Sequence, residues 1–207
     1  MRVWALTSML IGLTSLTPAV ARAADVDPTP VSADVRLFAG FGTGLGAEVW
    51  SPGGRLRADL EAGSLIGAPF DWGAIAAIVP LVGQPREFLG VRAGYQLDYI
   101  GQLGPDWHGS RSGHALDAGV VGRIESSGGK AVEGGVGFEG LFRDAPAGCC
   151  DNAWLPTASA GLRFALLSEL ALTDSAALFI RGVLRTAQHL PEIGVLPIAD
   201  AGLRYRF

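Results

Sequence analysis

The sequence is short of what a water-soluble surface is made from. Only 17% of its 207 residues are charged, against roughly 25% in an ordinary soluble domain, and Lys130 is its one lysine. With 49% hydrophobic residues and a mean hydropathy of +0.32, the chain needs an apolar solvent for part of its exterior. Long apolar runs are missing too. Beyond Ala24 the most apolar stretch runs from Gly73 to Gly83 and is broken by Pro80, whereas a spanning helix needs about 20 such residues. A helical membrane protein is therefore disfavoured. Cysteine is limited to Cys149 and Cys150, which are adjacent and so cannot staple distant parts of one chain together. They read as a vicinal disulfide, an intermolecular bond, a metal contact or, the reading favoured here, two incidental thiols in a loop. No nucleotide-binding loop, zinc spacing or nucleophile elbow occurs, so no cofactor and no metal is expected.

The N-terminus supplies an address. Arg2, an apolar stretch from Val3 to Leu16, Pro18 and the small residues Ala21, Ala23 and Ala24 have the form of a cleaved export signal over residues 1–23. Residues 24–32 follow as a short linker. Loss of Arg2 and Arg22 takes the formal charge from −4 to about −6, which leaves no electrostatic support for a nucleic-acid partner.

From residue 33 to residue 207 the apolar residues alternate, so strands are expected throughout. In 87–101, Leu89, Val91, Ala93, Tyr95, Leu97 and Tyr99 share one face while Arg92, Gln96 and Asp98 share the other. Similar segments are read at 33–50, 55–63, 71–82, 113–125, 130–143, 156–168, 175–187 and 195–207. Tight turns rich in Gly, Pro and Ser at 51–54, 83–87, 126–130 and 173–175 alternate with longer connections. That rhythm predicts an all-β, up-and-down antiparallel transmembrane barrel of 8 to 10 strands. A turn at Gly42-Thr43-Gly44, placing residue 41 opposite 45, splits the first segment and gives ten; one long first strand gives eight.

The near absence of lysine assigns the apolar face to lipid. The interior then receives Asp34, Arg36, Glu48, Arg57, Asp59, Glu61, Arg92, Asp98, Asp117, Arg123, Glu133, Glu139, Arg163, Arg181, Arg185, Asp200, Arg204 and Arg206. Their signs nearly balance, so arginine-carboxylate networks are expected across the lumen. A plugged, structural lumen is favoured over a narrow conducting path. Glycines within strands, such as Gly134, Gly135, Gly137, Gly140 and Gly161, relieve crowding in a tightly curved wall. Trp50, Trp72, Tyr99, Phe142, Trp154 and Tyr205 stand near the expected membrane interfaces, as aromatic girdles do, and core aromatics would be spaced similarly.

These features resemble the small outer-membrane β-barrel proteins of the OmpA and OmpX kind, on the strength of the signal-like Ala19 to Ala23, the strand and turn rhythm, and the ending Leu203, Tyr205, Phe207. The resemblance implies a bacterial outer-membrane location, with membrane lipids as surroundings. It also implies that the terminal alternation is the signal read by the barrel-assembly machinery. Anchors, adhesins, porins and enzymes all use such barrels. The expected role is structural or interactive in the envelope and not enzymatic, with a narrow small-solute pore as the alternative. A weaker alternative is a lipid-acyl hydrolase using Ser112, His114 and Asp144 at the rim, where a pairing sum near 256 puts His114 opposite Phe142. Lipid A deacylases carry a His-x-Ser order, and here the order is reversed.

Overall fold

A computed structural model describes residues 33–40, 42–66, 70–100, 111–143, 158–187 and 195–207. Ten strands form in chain order: β1 (Ala33–Gly40), β2 (Gly42–Trp50), β3 (Arg57–Leu65), β4 (Phe70–Gln84), β5 (Glu87–Ile100), β6 (Arg111–Glu125), β7 (Lys130–Arg143), β8 (Ala158–Ala171), β9 (Ala176–Arg185) and β10 (Leu196–Arg206). Each pairs antiparallel with its sequence neighbours, and β1 pairs with β10 to close the barrel. Closure leaves no strand edge with unpaired backbone groups. The closing seam runs from Asp34 opposite Arg206 to Gly40 opposite Asp200. Cys149, Cys150, Trp154, Asp144 and the signal-like N-terminus lie outside the described residues.

Strand count settles at ten, but the first reversal is not where the glycines predict it. Leu37 faces Leu45 and Phe38 faces Gly44, with β1 ending at Gly40 and β2 beginning at Gly42. The Gly42-Thr43-Gly44 stretch is ladder, because β2 pairs with β3 from Gly42 opposite Leu65 onwards. Its glycines make room for rings. A Cβ at Gly42 would stand 2.8 Å from the Trp72 ring, and one at Gly44 would stand 2.7 Å from the Phe38 ring. The side-chain parity survives the shift, since both registers keep odd positions outward.

Tight turns gather at one end together with Ala33 and Phe207, whose backbone groups bond each other at 3.0 Å. There Gly54, at φ 66°, passes so close to Pro85 that a Cβ would come within 2.4 Å of the ring. The connections β5–β6, β7–β8 and β9–β10 leave from the other end. Pro80 lacks the amide a ladder needs, and the β4–β5 register slips between Pro80 and Val82. Leu81 is the extra residue of the bulge, exposed like Val82 beside it.

The outside is apolar along nearly the whole strand length. Leu37, Leu45, Leu89, Leu116, Phe138, Leu166, Ile180 and Leu203 are all exposed. At outward strand positions among the described residues, formal charge occurs only at Asp71, Glu87 and Lys130, each the first or second residue of its strand. Two expectations for the aromatic girdles fail. Trp50 and Trp72 are buried inside, because even positions of β2 and β4 face the lumen. Tyr99, Phe142 and Tyr205 do lie exposed on the outer face.

Candidate functional site

The lumen holds three layers. At the tight-turn end, three arginines and three glutamates from six strands alternate in a closed ring. Arg204 of β10 donates through Nη1 to Glu169 of β8 at 2.5 Å and through Nη2 to Glu48 of β2 at 2.8 Å. Glu169 also accepts from Arg123 of β6 at 2.5 Å, and Arg123 stands 3.6 Å from Glu133 of β7. Glu133 takes both Nη1 and Nη2 of Arg57 of β3 at 2.6 Å, a bidentate fork. Arg57 lies 3.9 Å from Glu48, which completes the ring. Asp34, Asp59 and Glu125 are attached at its margin through Arg204, Arg57 and Arg123.

Aromatic and aliphatic groups hold this ring in place. The Trp50 indole donates to Glu48 at 2.8 Å, and the Arg57 guanidinium sits 5.7 Å from both the Trp50 and Phe88 ring centres. Ile78 and Val121 pack beneath them. Arg57 and Arg185 are each only 2% exposed, a depth at which an unpaired charge is strongly disfavoured.

In the middle layer, Arg181 of β9 donates to Asp200 of β10 at 2.7 Å, reaches across the barrel to Glu61 of β3, and lies 4.6 Å over the Phe38 ring. Trp72 donates to the same Glu61 at 3.0 Å. Arg185 is bonded to Glu139 at 2.7 Å, and Arg92 is paired with Asp117. A cavity of about 110 Å³ lies among these groups. Its far wall is bare backbone: Gly119 of β6 faces Gly137 of β7, and a Cβ on either would press within 2.2 Å or 2.6 Å of a neighbouring carbonyl oxygen.

The third layer, toward the long connections, is largely apolar. Phe38, Leu65, Phe70, Trp72, Ile100, Leu196 and Ile198 form a buried cluster that extends to Phe179 and Val183. Ala115, Leu141 and Ala187 make a smaller one beside it. The strand ends that supply them are mostly apolar at the inward parity, but Asp98 beside Ile100 and Arg143 beside Leu141 are buried there too, both next to Gly113.

Every charge expected in the lumen stands at an inward position, including Asp98 at 1% exposure and Arg206 at the open rim. Sequence reading missed Glu169 and Arg143, both buried. Arg143 has the parity of Glu133 and Glu139 on the same strand, so the signal was present. Glu169 lay one residue past the expected end of its strand, yet it joins two of the ring's arginines.

The rim candidates are on the outer face. His114 pairs with Leu97 and Phe142, and Ser112 with Tyr99. The His114 Nδ1 lies 2.7 Å from the Tyr95 hydroxyl, a residue diagonal to it across β5–β6. A partner for His114 on this side is thus Tyr95, which the alternation put on the outward face without linking it to His114; Asp144 lies outside the described residues. Leu203, Tyr205 and Phe207 are also outward and exposed, with the last two rings edge-to-face at 4.9 Å. Among the described residues no group of three or more His, Cys, Asp or Glu side chains is arranged to hold a metal ion. Compared with known proteins, the chain matches no protein-family model and no curated protein.

Proposed function

We propose that this chain is an outer-membrane barrel with a structural or interaction role in the envelope, non-enzymatic, its lumen plugged, akin to the small barrels it resembles in sequence. The observation that carries the reading is the outer belt. A closed sheet whose outward positions are apolar and free of charge except at strand ends is unsuited to water, and fits acyl chains. Tight turns and both described chain ends on one side fit the periplasmic face of such barrels. The ionic ring at one end and the apolar cluster at the other support a lumen that passes no solute.

Reconstitution tests both parts. The chain without residues 1–23 is expected to need detergent or lipid to stay monomeric, and to give no stable conductance steps in a planar bilayer. A monomeric, detergent-free soluble protein overturns the membrane reading. Stable steps overturn the plug and bring forward the second reading, a narrow small-solute pore, which the central cavity favours.

A further inference from the structure

Two arginines are left over in the central layer. Around the cavity, Arg57 is engaged by Glu133 and Asp59, Arg92 by Asp117, Arg181 by Glu61 and Asp200, and Arg185 by Glu139. Arg36 of β1 and Arg163 of β8 line the same cavity. Among the described residues neither makes a hydrogen bond, nor an ion pair within 4.0 Å. Arg36 is only 8% exposed. Its guanidinium lies over Gly46, where a Cβ would be 3.5 Å from Nε and 3.7 Å from Nη2. The carboxylates on the cavity wall, Asp59, Glu61, Asp117 and Glu133, already have arginine partners, although the second oxygen of Asp59 is buried without a hydrogen bond.

A carboxylate in this position would protonate, but a guanidinium keeps its charge at any ordinary pH. Arg36 feels Glu48, Asp59, Glu61 and Asp200, and Arg163 feels Glu61 and Glu139, only beyond ion-pair distance. Among the described residues the N–H groups of both thus lack a bonded acceptor in a narrow interior, which is costly, and Gly119 and Gly137 leave a stretch of the wall without side chains. The cavity of about 110 Å³ exceeds the ~30 Å³ share of one water several-fold. Guanidinium groups present paired donors that match the oxygens of a tetrahedral anion.

We propose that the central cavity is a binding site for one small inorganic oxyanion, of the sulfate or phosphate class, held by Arg36 and Arg163. The sheet separates the cavity from lipid headgroups, so the ligand is the free ion. This inference is independent of the membrane reading, since it needs only the barrel interior.

The test is thermal unfolding of the refolded chain in micelles, in sodium sulfate, sodium phosphate and, as a bulky reference anion, sodium gluconate at matched ionic strength. Sulfate and phosphate are expected to raise the midpoint by a few degrees per tenfold concentration, growing with its logarithm, as linked binding requires. Arg36→Gln/Arg163→Gln is expected to abolish the difference from gluconate. Equal midpoints in all three salts overturn the site. So does a rise linear in concentration or retained in the double variant, because that is the signature of salt exclusion from the surface. Should the double variant not fold, the shape of the parent's own titration decides.

Discussion

At the tight-turn end of the lumen, Arg57, Arg123 and Arg204 interlock with Glu48, Glu133 and Glu169; at the opposite end Phe70, Trp72, Ile100 and Leu196 fill most of the cross-section with carbon, beside the buried Asp98 and Arg143. Both ends bury their side chains to a similar depth, yet the forces differ. The apolar end is non-directional and gains stability by area removed from water. The ionic end gains little from being charged as such and depends on every partner being present. The two ends should therefore fail differently when altered.

The largest effect is expected at Arg204. Replacement by Ala leaves Asp34, Glu48 and Glu169 facing one another without their shared cation, and losing one partner of a buried pair costs about 3–5 kcal/mol. Arg204→Lys should recover little of it, because one ammonium cannot reproduce a fork that bonds three carboxylates. Denaturant unfolding of the refolded barrel measures both. A loss below about 1 kcal/mol for Arg204→Ala would mean that the ring behaves as hydrated surface.

Phe70 is the counterpart, and it is fully buried. Phe70→Ala should cost about 3 kcal/mol, but Phe70→Leu less than about 1.5 kcal/mol, since volume and not geometry is at stake. The contrast with Arg204→Lys is the sharpest form of the comparison. Equal recovery by the two conservative variants, read in the same assay, would erase the distinction between the ends.

The third expectation turns from end to side. Phe138 lies midway along β7 on the outer face and is 76% exposed. If that face meets acyl chains, Phe138→Arg should lower stability in lipid by about 2–3 kcal/mol. In a water-facing wall the same change would be near neutral. Equilibrium folding into vesicles distinguishes the two.

How much of this was legible beforehand depended on parity. Alternation alone placed Arg57, Glu133, Arg181 and Arg204 inside, because a strand residue's face is fixed once the face of any neighbour is known. The pairing of His114 with Phe142 followed from parity plus one turn. Two kinds of information were not local. Gly42 and Gly44 look like turn residues, and only groups arriving from elsewhere, the Trp72 ring at Gly42 and the Ala62 carbonyl and Phe38 ring at Gly44, show why they lack side chains. Trp50 and Trp72 were expected at the interface by residue type, but their parity agreed with Glu48 and Asp98-facing positions inside. Which arginine meets which glutamate was readable only between neighbouring strands, as for Arg123 opposite Glu133, which share the register of His114 and Phe142. The remaining ring contacts join strands two to four places apart around the barrel, as Arg57 joins Glu133, and depend on shear and curvature.

Trp50 offers the finest test, since it belongs to both chemistries at once. Its ring meets Phe88 edge-on at 5.7 Å and faces the Arg57 guanidinium, while its N–H is spent on Glu48. Trp50→Phe keeps an aromatic surface for Phe88 and Arg57 and deletes only the donor. Glu48 retains Arg204 at 2.8 Å and Arg57 at 3.9 Å, so the carboxylate is not orphaned and the loss should be about 1 kcal/mol. Trp50→Leu removes the ring as well and should cost more, by the stacking and cation–π contributions of about 0.5–1.5 kcal/mol. If the Phe variant instead loses as much as Arg204→Ala, the indole N–H is what orients Glu48 for both arginines. The ring would then be organised from its aromatic rim inward, not by its own charges.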